Sequence, residues 1–135
     1  NHILNFNGEY KLVYDIAFEV PTEIVSENPL KYLEYKYKIV FNYEFNKKQL
    51  HNHNLFPIQC ALFNRVLYDL YGGFDENLEL LEDWDLWIKY SNHTDFLKIP
   101  KITSIYRVPA ILKESDDRHK KLLEYEINIK QKYEY

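Results

Sequence analysis

The segment "YKLVYDIAFEV" (10–20) constrains this chain more than any other, because apolar side chains recur there at every second position. Leu12, Tyr14, Ile16, Phe18 and Val20 then share one face of an extended strand, since successive side chains point to opposite sides of a sheet. A strand with an apolar face has to lay that face on something. Proline lacks the N–H that a ladder uses, so Pro21 is expected to end the strand. "YKYKIVFNYEF" (35–45) repeats the period through Tyr35, Tyr37, Ile39, Phe41, Tyr43 and Phe45, and predicts a second strand with an aromatic face.

Helical signals are interleaved with these. A short helix or turn is expected around residues 47–52, followed by "LFPIQCALF" (55–63), an apolar run of buried-strand type interrupted by Pro57. "NRVLYDLY" (64–71) reads as a short helix closed by Gly72 or Gly73. Residues 82–90 read as a helix with Trp84, Trp87 and Ile88 at i, i+3 and i+4 on one face. Two more strands are expected at 95–99 and 103–108, on either side of Pro100. Ser115 is placed as an N-cap, with Asp116 and Asp117 in the first turn of a closing helix that runs to the C-terminus. The mixture is α/β. It opens on a strand and offers few helices for a doubly wound sheet standing by itself, which is the pattern of a half-fold.

At 135 residues the chain is one domain of common size. A net charge of −4 with dispersed Lys and Arg argues against a nucleic-acid footprint and against a basic patch for lipid head groups. No apolar stretch approaches the length of a bilayer span, and no signal-peptide pattern opens the chain. The single cysteine, Cys60, cannot form an internal disulfide and is expected in the core; a reducing, cytoplasmic setting fits. The chain contains no Met and begins with Asn1, so it is expected to be a piece of a longer protein. The aromatic share is 17%, with 13 Tyr, and such rings supply both core volume and flat faces on which ligands stack.

The acids around the two tryptophans raise the chemical question. In "GGFDENLELLEDWDLWIKYS" (72–91), Glu82, Asp83 and Asp85 fall in the first turn of the expected helix, where free backbone N–H groups and the macrodipole favour negative charge. Asp85 can pair with Lys89 at i+4. Asp83 lies one turn from Trp87; a desolvating indole raises a carboxyl pKa, while the dipole lowers it. Helix capping and a functional carboxylate are both open on these residues alone. His51 and His53 of "HNHN" sit at i, i+2 and do not meet on a helix, so a metal-dependent, nuclease-like site there stands only as an alternative.

"LFNRVLYDLYGGFDENLELLEDWDLWIKYS", followed by "TSIYR" (103–107), closely resembles the second half of family-2 glycosyltransferases of GT-A fold. An arginine-bearing segment, a short helix, a "GGFDE" turn, an "ED" pair opening a helix and a strand ending in "YR" occur there in this order. The likeness covers about residues 54–107 and, more loosely, the strand at 10–20. It implies a partial GT-A fold, a mixed sheet with flanking helices, forming the acceptor-binding half with the donor-binding half missing upstream. It implies inverting transfer of a sugar from a nucleotide-sugar donor to a glycan or glycoconjugate acceptor, in building cell-surface polysaccharide.

Asp83, the second acid of the pair, is implied as the catalytic base. Glu82, Trp84, Trp87, Asp75 and Arg107 are implied at the acceptor site, with Asp75 and Glu76 fixing the turn and Arg107 meeting a phosphate, a carboxylate or a nearby acid. The family's Asp-x-Asp motif is absent: "YDIAF" has Asp15 but Ala17 two residues on, and "SDD" (115–117) falls after the acid pair. The divalent ion (Mn or Mg) implied for the full-length enzyme would therefore be held outside this chain, with no metal ligands within it, and the fragment by itself is expected to be inactive. A cytoplasmic location follows from the nucleotide-sugar donor, with peripheral membrane association open to the parent protein. The competing expectation is a non-catalytic glycan-binding or interaction module of the same fold.

Overall fold

The computed structural model describes residues 10–133. Its spine is one strand, β1 (Leu12–Glu27), longer than the alternation predicts. β5 (Phe96–Pro109) runs parallel along one edge of β1, from Leu12↔Phe96 to Thr22↔Pro109. Three short strands share the other edge, all antiparallel: β4 (Ala61–Phe63) at residues 12–14, β3 (Lys38–Phe41) at 17–19 and β2 (Leu30–Glu34) at 22–27. The result is a mixed five-stranded sheet with helices α1 (Lys47–Asn52), α2 (Arg65–Tyr71), α3 (Glu82–Ser91) and α4 (Leu112–Tyr133) around it. This is an α/β architecture. No helix among the described residues is long and apolar enough to cross a membrane.

Prolines are absorbed where the sequence predicts breaks. The Pro21 carbonyl accepts from Tyr35 N–H at 2.9 Å, so the missing N–H of Pro21 points to that same edge, into the gap between the β3 and β2 pairings. No ladder bond is lost there, and β1 continues for six more residues. Pro100 likewise does not divide two strands: β5 is continuous, and its register slips against β1 between Lys98 and Ser104, where Pro100 sits in the bulged stretch.

The expected strand at 35–45 shrinks to Lys38–Phe41. One edge of β1 is divided among three partners, and Asn46 must already turn the chain, because its side chain caps α1 by accepting from Gln49 N–H at 2.9 Å. The tyrosine stripe therefore scatters: Tyr35 donates to Glu23 at 2.8 Å, Tyr37 packs on Phe18 and Tyr43 is exposed. The run 55–63 is a 3-10 turn at Ile58–Cys60 leading into β4 rather than one buried strand. The closing helix starts at Leu112, so Ser115, Asp116 and Asp117 lie inside it and Ser115 is no N-cap; its N–H already donates to Ile111 O.

Helices α2 and α3 sit where the periodicity puts them. Asn64 caps α2 through Val66 N–H at 2.9 Å, and Gly72 closes it with φ +82°, a conformation that side chains with a Cβ avoid. The core gathers Leu12, Tyr14 and Ala17 of β1, Phe96 of β5, and Trp84, Leu86, Trp87, Ile88 and Tyr90 of α3, all buried. Tyr14 stacks on Phe56 at 4.1 Å, and Phe56 in turn lies 5.2 Å from Trp87, so an aromatic column joins sheet to helix.

Candidate functional site

The loop before α3 is anchored at several points. Asp75 Oδ1 accepts from Asn77 N at 3.1 Å and from its side-chain amide at 2.9 Å, making the local turn expected of it. Lys132 of α4 reaches Asp75 at 3.0 Å, and the Lys132 ammonium together with Asn77 holds the Asp75 carboxyl down to about 2. From α3, Lys89 Nζ donates to Gly73 O at 2.7 Å and Tyr90 Oη to Gly72 O at 3.0 Å. Lys89 is thereby withdrawn from Asp85, its expected i+4 partner. Asp85 is fully buried and takes Lys132 at 2.8 Å and Tyr133 Oη at 3.0 Å instead.

At the junction of loop and helix, Leu81 stands at φ 62°, ψ 20°. A branched apolar residue in the left-handed region is a strained choice, of the kind that concentrates at functional sites. Leu81 is the N-cap residue and supplies no side-chain cap. Asp83 takes over part of that role: its Oδ1 accepts from Trp84 N–H at 2.7 Å. The same oxygen accepts from the Asn54 amide at 3.2 Å, from the segment that follows α1.

A cavity of about 420 Å³ opens beside this carboxylate, between the sheet, α4 and the loop. Asp83 and Glu82 line it with Asn54, Phe41 of β3, Tyr106 of β5 and Arg118 of α4. Arg118 donates to the Tyr106 hydroxyl and lies over that ring, 5.9 Å from its centroid. Burial pushes the Asp83 carboxyl up to about 6; the Trp84 N–H works against the rise, the neighbouring Glu82 charge adds to it, and Asn54 and the Ile58 backbone oppose it. A carboxyl in that range can exchange a proton near neutral pH.

The remaining residues expected at an acceptor site lie elsewhere. Trp84 and Trp87 are 1% and 0% exposed and belong to the core; neither lines the cavity. Trp84 Nε1 donates to Leu50 O at 2.6 Å, tying α3 to α1. Asp75 is engaged by Lys132. Arg107 pairs with Glu34 at 2.8 Å and covers the Tyr32 ring at 4.8 Å, beside a separate hollow at the β1–β2 hairpin. Alternation along β5 separates it from its neighbour: Tyr106 lines the Asp83 cavity and Arg107 does not.

Three cavity residues were not legible as site residues: Asn54, Tyr106 and Arg118. Tyr106 had a signal, since it stands in the same "YR" as Arg107, one residue out of phase. Asn54 closes "HNHN", directly after the second of its two histidines. Those histidines diverge, His53 toward Tyr43 at 5.0 Å and His51 toward Tyr133 at 6.2 Å. Among the described residues no group of three or more His, Cys, Asp or Glu is arranged to hold a metal ion.

No protein-family model matches the chain, and no curated protein matches it.

Proposed function

We propose that this chain is the acceptor half of an inverting glycosyltransferase of GT-A type, with Asp83 as the general base. The observation that carries the proposal is the Asp83 carboxylate, its pKa raised to about 6, on the wall of a cavity of about 420 Å³. A base of that pKa is largely ionised at neutral pH yet basic enough to take a proton from an attacking hydroxyl. In this reading Asp83 receives the proton of the acceptor hydroxyl as its oxygen bonds to the anomeric carbon of a nucleotide-activated sugar and the nucleotide leaves. Glu82 and the Tyr106–Arg118 pair contact the acceptor. The ordered series from "FNR" through "GGFDE" and "EDW" to "YR" supports the class.

The divalent ion implied by the resemblance would neutralise the leaving diphosphate. The site's own work is to hold the acceptor and move its proton.

The test is a transfer assay of the protein that carries this chain, against a panel of nucleotide sugars and glycan acceptors, with Asp83→Asn beside the wild type. Loss of a general base is expected to lower kcat by about 10²-fold or more. An Asp83→Asn variant that transfers sugar at the wild-type rate would sink the base assignment. Glycan binding without transfer by the wild-type protein, for any donor, would leave the site as a binding module.

A further inference from the structure

We propose that Asn54 is the positioning residue of Asp83: its amide fixes the carboxylate in one orientation on the cavity wall. Asp83 Oδ1 accepts two N–H groups, Trp84 N–H at 2.7 Å and Asn54 Nδ2–H at 3.2 Å. Trp84 belongs to the same helix as Asp83 and can only tie the carboxylate to its own backbone. Asn54 lies 29 residues away, between α1 and the 3-10 turn; its amide is the side-chain donor that reaches the carboxylate from another element, and together with the Ile58 backbone it sets the carboxylate's direction relative to the cavity.

The amide is held there at a cost. Asn54 Oδ1 is buried with no hydrogen-bond partner among the described residues, and a buried acceptor left unpaired costs about 1–3 kcal/mol. An ionised carboxylate only accepts, so the NH2 end of the amide must face it and the oxygen must face away. The stranded oxygen is thus the consequence of aiming the donor at Asp83. Serving Asp83 accounts for an arrangement that stability alone does not.

The charged groups that line the cavity with Asp83 come from several elements. Glu82 stands beside it on α3, Glu79 on the preceding loop, Glu19 on β1, and Arg118 on α4 with Tyr106 of β5. Asn54 is a neutral side-chain donor among them, and its hydrogen bond, like those of the Trp84 and Ile58 backbone, favours the ionised carboxylate. The catalytic meaning of this contact rests on the base role proposed for Asp83. The contact itself can be tested without a substrate.

The experiment is a carboxyl ¹³C NMR titration of Asp83 in the wild type, Asn54→Ala and Asn54→Ser. Removing the donor is expected to move the Asp83 midpoint upward by roughly 0.5–1 pH unit, with Ser, which keeps a donor, restoring part of the shift. An unmoved midpoint in folded Asn54→Ala, or a Ser midpoint displaced as far as that of Ala, overturns the proposal. In the transfer assay Asn54→Ala should lower kcat about tenfold with little change in KM and carry the pH profile upward with the midpoint. An equal loss at every pH would mark a structural role and also overturn it. The two readings fail separately: active Asp83→Asn removes the base, whereas an unmoved midpoint removes Asn54 even if Asp83→Asn is dead.

Discussion

Lys132 Nζ lies 2.8 Å from Asp85 Oδ1, 47 residues away in sequence, and closes the last turn of α4 onto a carboxylate that has no solvent exposure. The same ammonium reaches Asp75 at 3.0 Å. Partial burial works against the charged form of Lys132, but hydrogen bonds to Asp85 and Asp75 outweigh it and hold the pKa above its ordinary value. One cation therefore joins α3, α4 and the acid-rich loop.

Removing that cation strands a buried charge. Lys132→Met is expected to cost about 2–4 kcal/mol, at or just below the range for breaking a buried pair because the Lys132 side chain is 42% exposed. Urea unfolding at pH 7 measures it. A loss within 0.5 kcal/mol would show that Tyr133 and solvent satisfy Asp85 without the lysine.

Asp83 makes stability depend on pH with a definite sign. Its folded pKa, about 6, stands above the ordinary 3.8, so the fold binds its proton more tightly than the unfolded chain does. The stabilisation from this group is complete below pH 3.8 and is lost as pH rises through 6, a loss of about 3 kcal/mol. Asp83→Asn, which carries no charge, should be more stable than wild type at pH 7.5 and lose that advantage at pH 4. Unfolding curves at the two pH values decide it; an advantage of equal size at both would rule the linkage out.

The same titration sets an activity profile. If Asp83 is the base, transfer should rise with pH through about 6 and level off above it. A rate that is flat from pH 5 to 8, with chemistry shown to be rate-limiting, would exclude Asp83 from the proton transfer.

The two tryptophans should respond differently to the same substitution. Trp84→Phe removes the bond from Nε1 to Leu50 O and leaves that carbonyl short of a partner, whereas Trp87 Nε1 is buried without a partner among the described residues. Trp84→Phe is therefore expected to cost about 1–2 kcal/mol more than Trp87→Phe, since the cavity contribution is similar in both. Denaturant midpoints of the two variants test the order.

Cys60 should be inert in the folded protein. Burial first, and then the contact with Asp15, push its thiol up to about 12, and the thiol form is a poor nucleophile. Thiol reagents at pH 8 should label it only after denaturant is added. Rapid labelling of the native protein would place Cys60 in a different environment.

How much of this was legible depended on the range of the interaction concerned. The helical face of Trp84, Trp87 and Ile88, the cap at Gly72 and the strand character of 12–20 are local, written in periods of 3.6 and 2 and in the freedom of one glycine. These stand as read. Pro21 does not end β1 because a missing N–H matters only if the edge it faces is paired there, and sequence does not say which edge that is; at Pro100 a slip in register absorbs the break instead. Asp85 misled in the same way: Lys89 is its neighbour on an isolated helix, but folding takes Lys89 to Gly73 and brings Lys132 from the far end of the chain.

The site divides along the same line. By itself the sequence determined that a carboxylate pair opens α3 beside large aromatic side chains, because spacing along a helix is a property of the chain alone. Only the tertiary structure decided which carboxylate would be desolvated, that both indoles would be core, and that Asn54, Tyr106 and Arg118 would meet Asp83 across a cavity. Burial and hydrogen bonding are set by segments dozens of residues apart. They exist only once β1 has drawn its partners to its two edges and α4 has closed over the sheet.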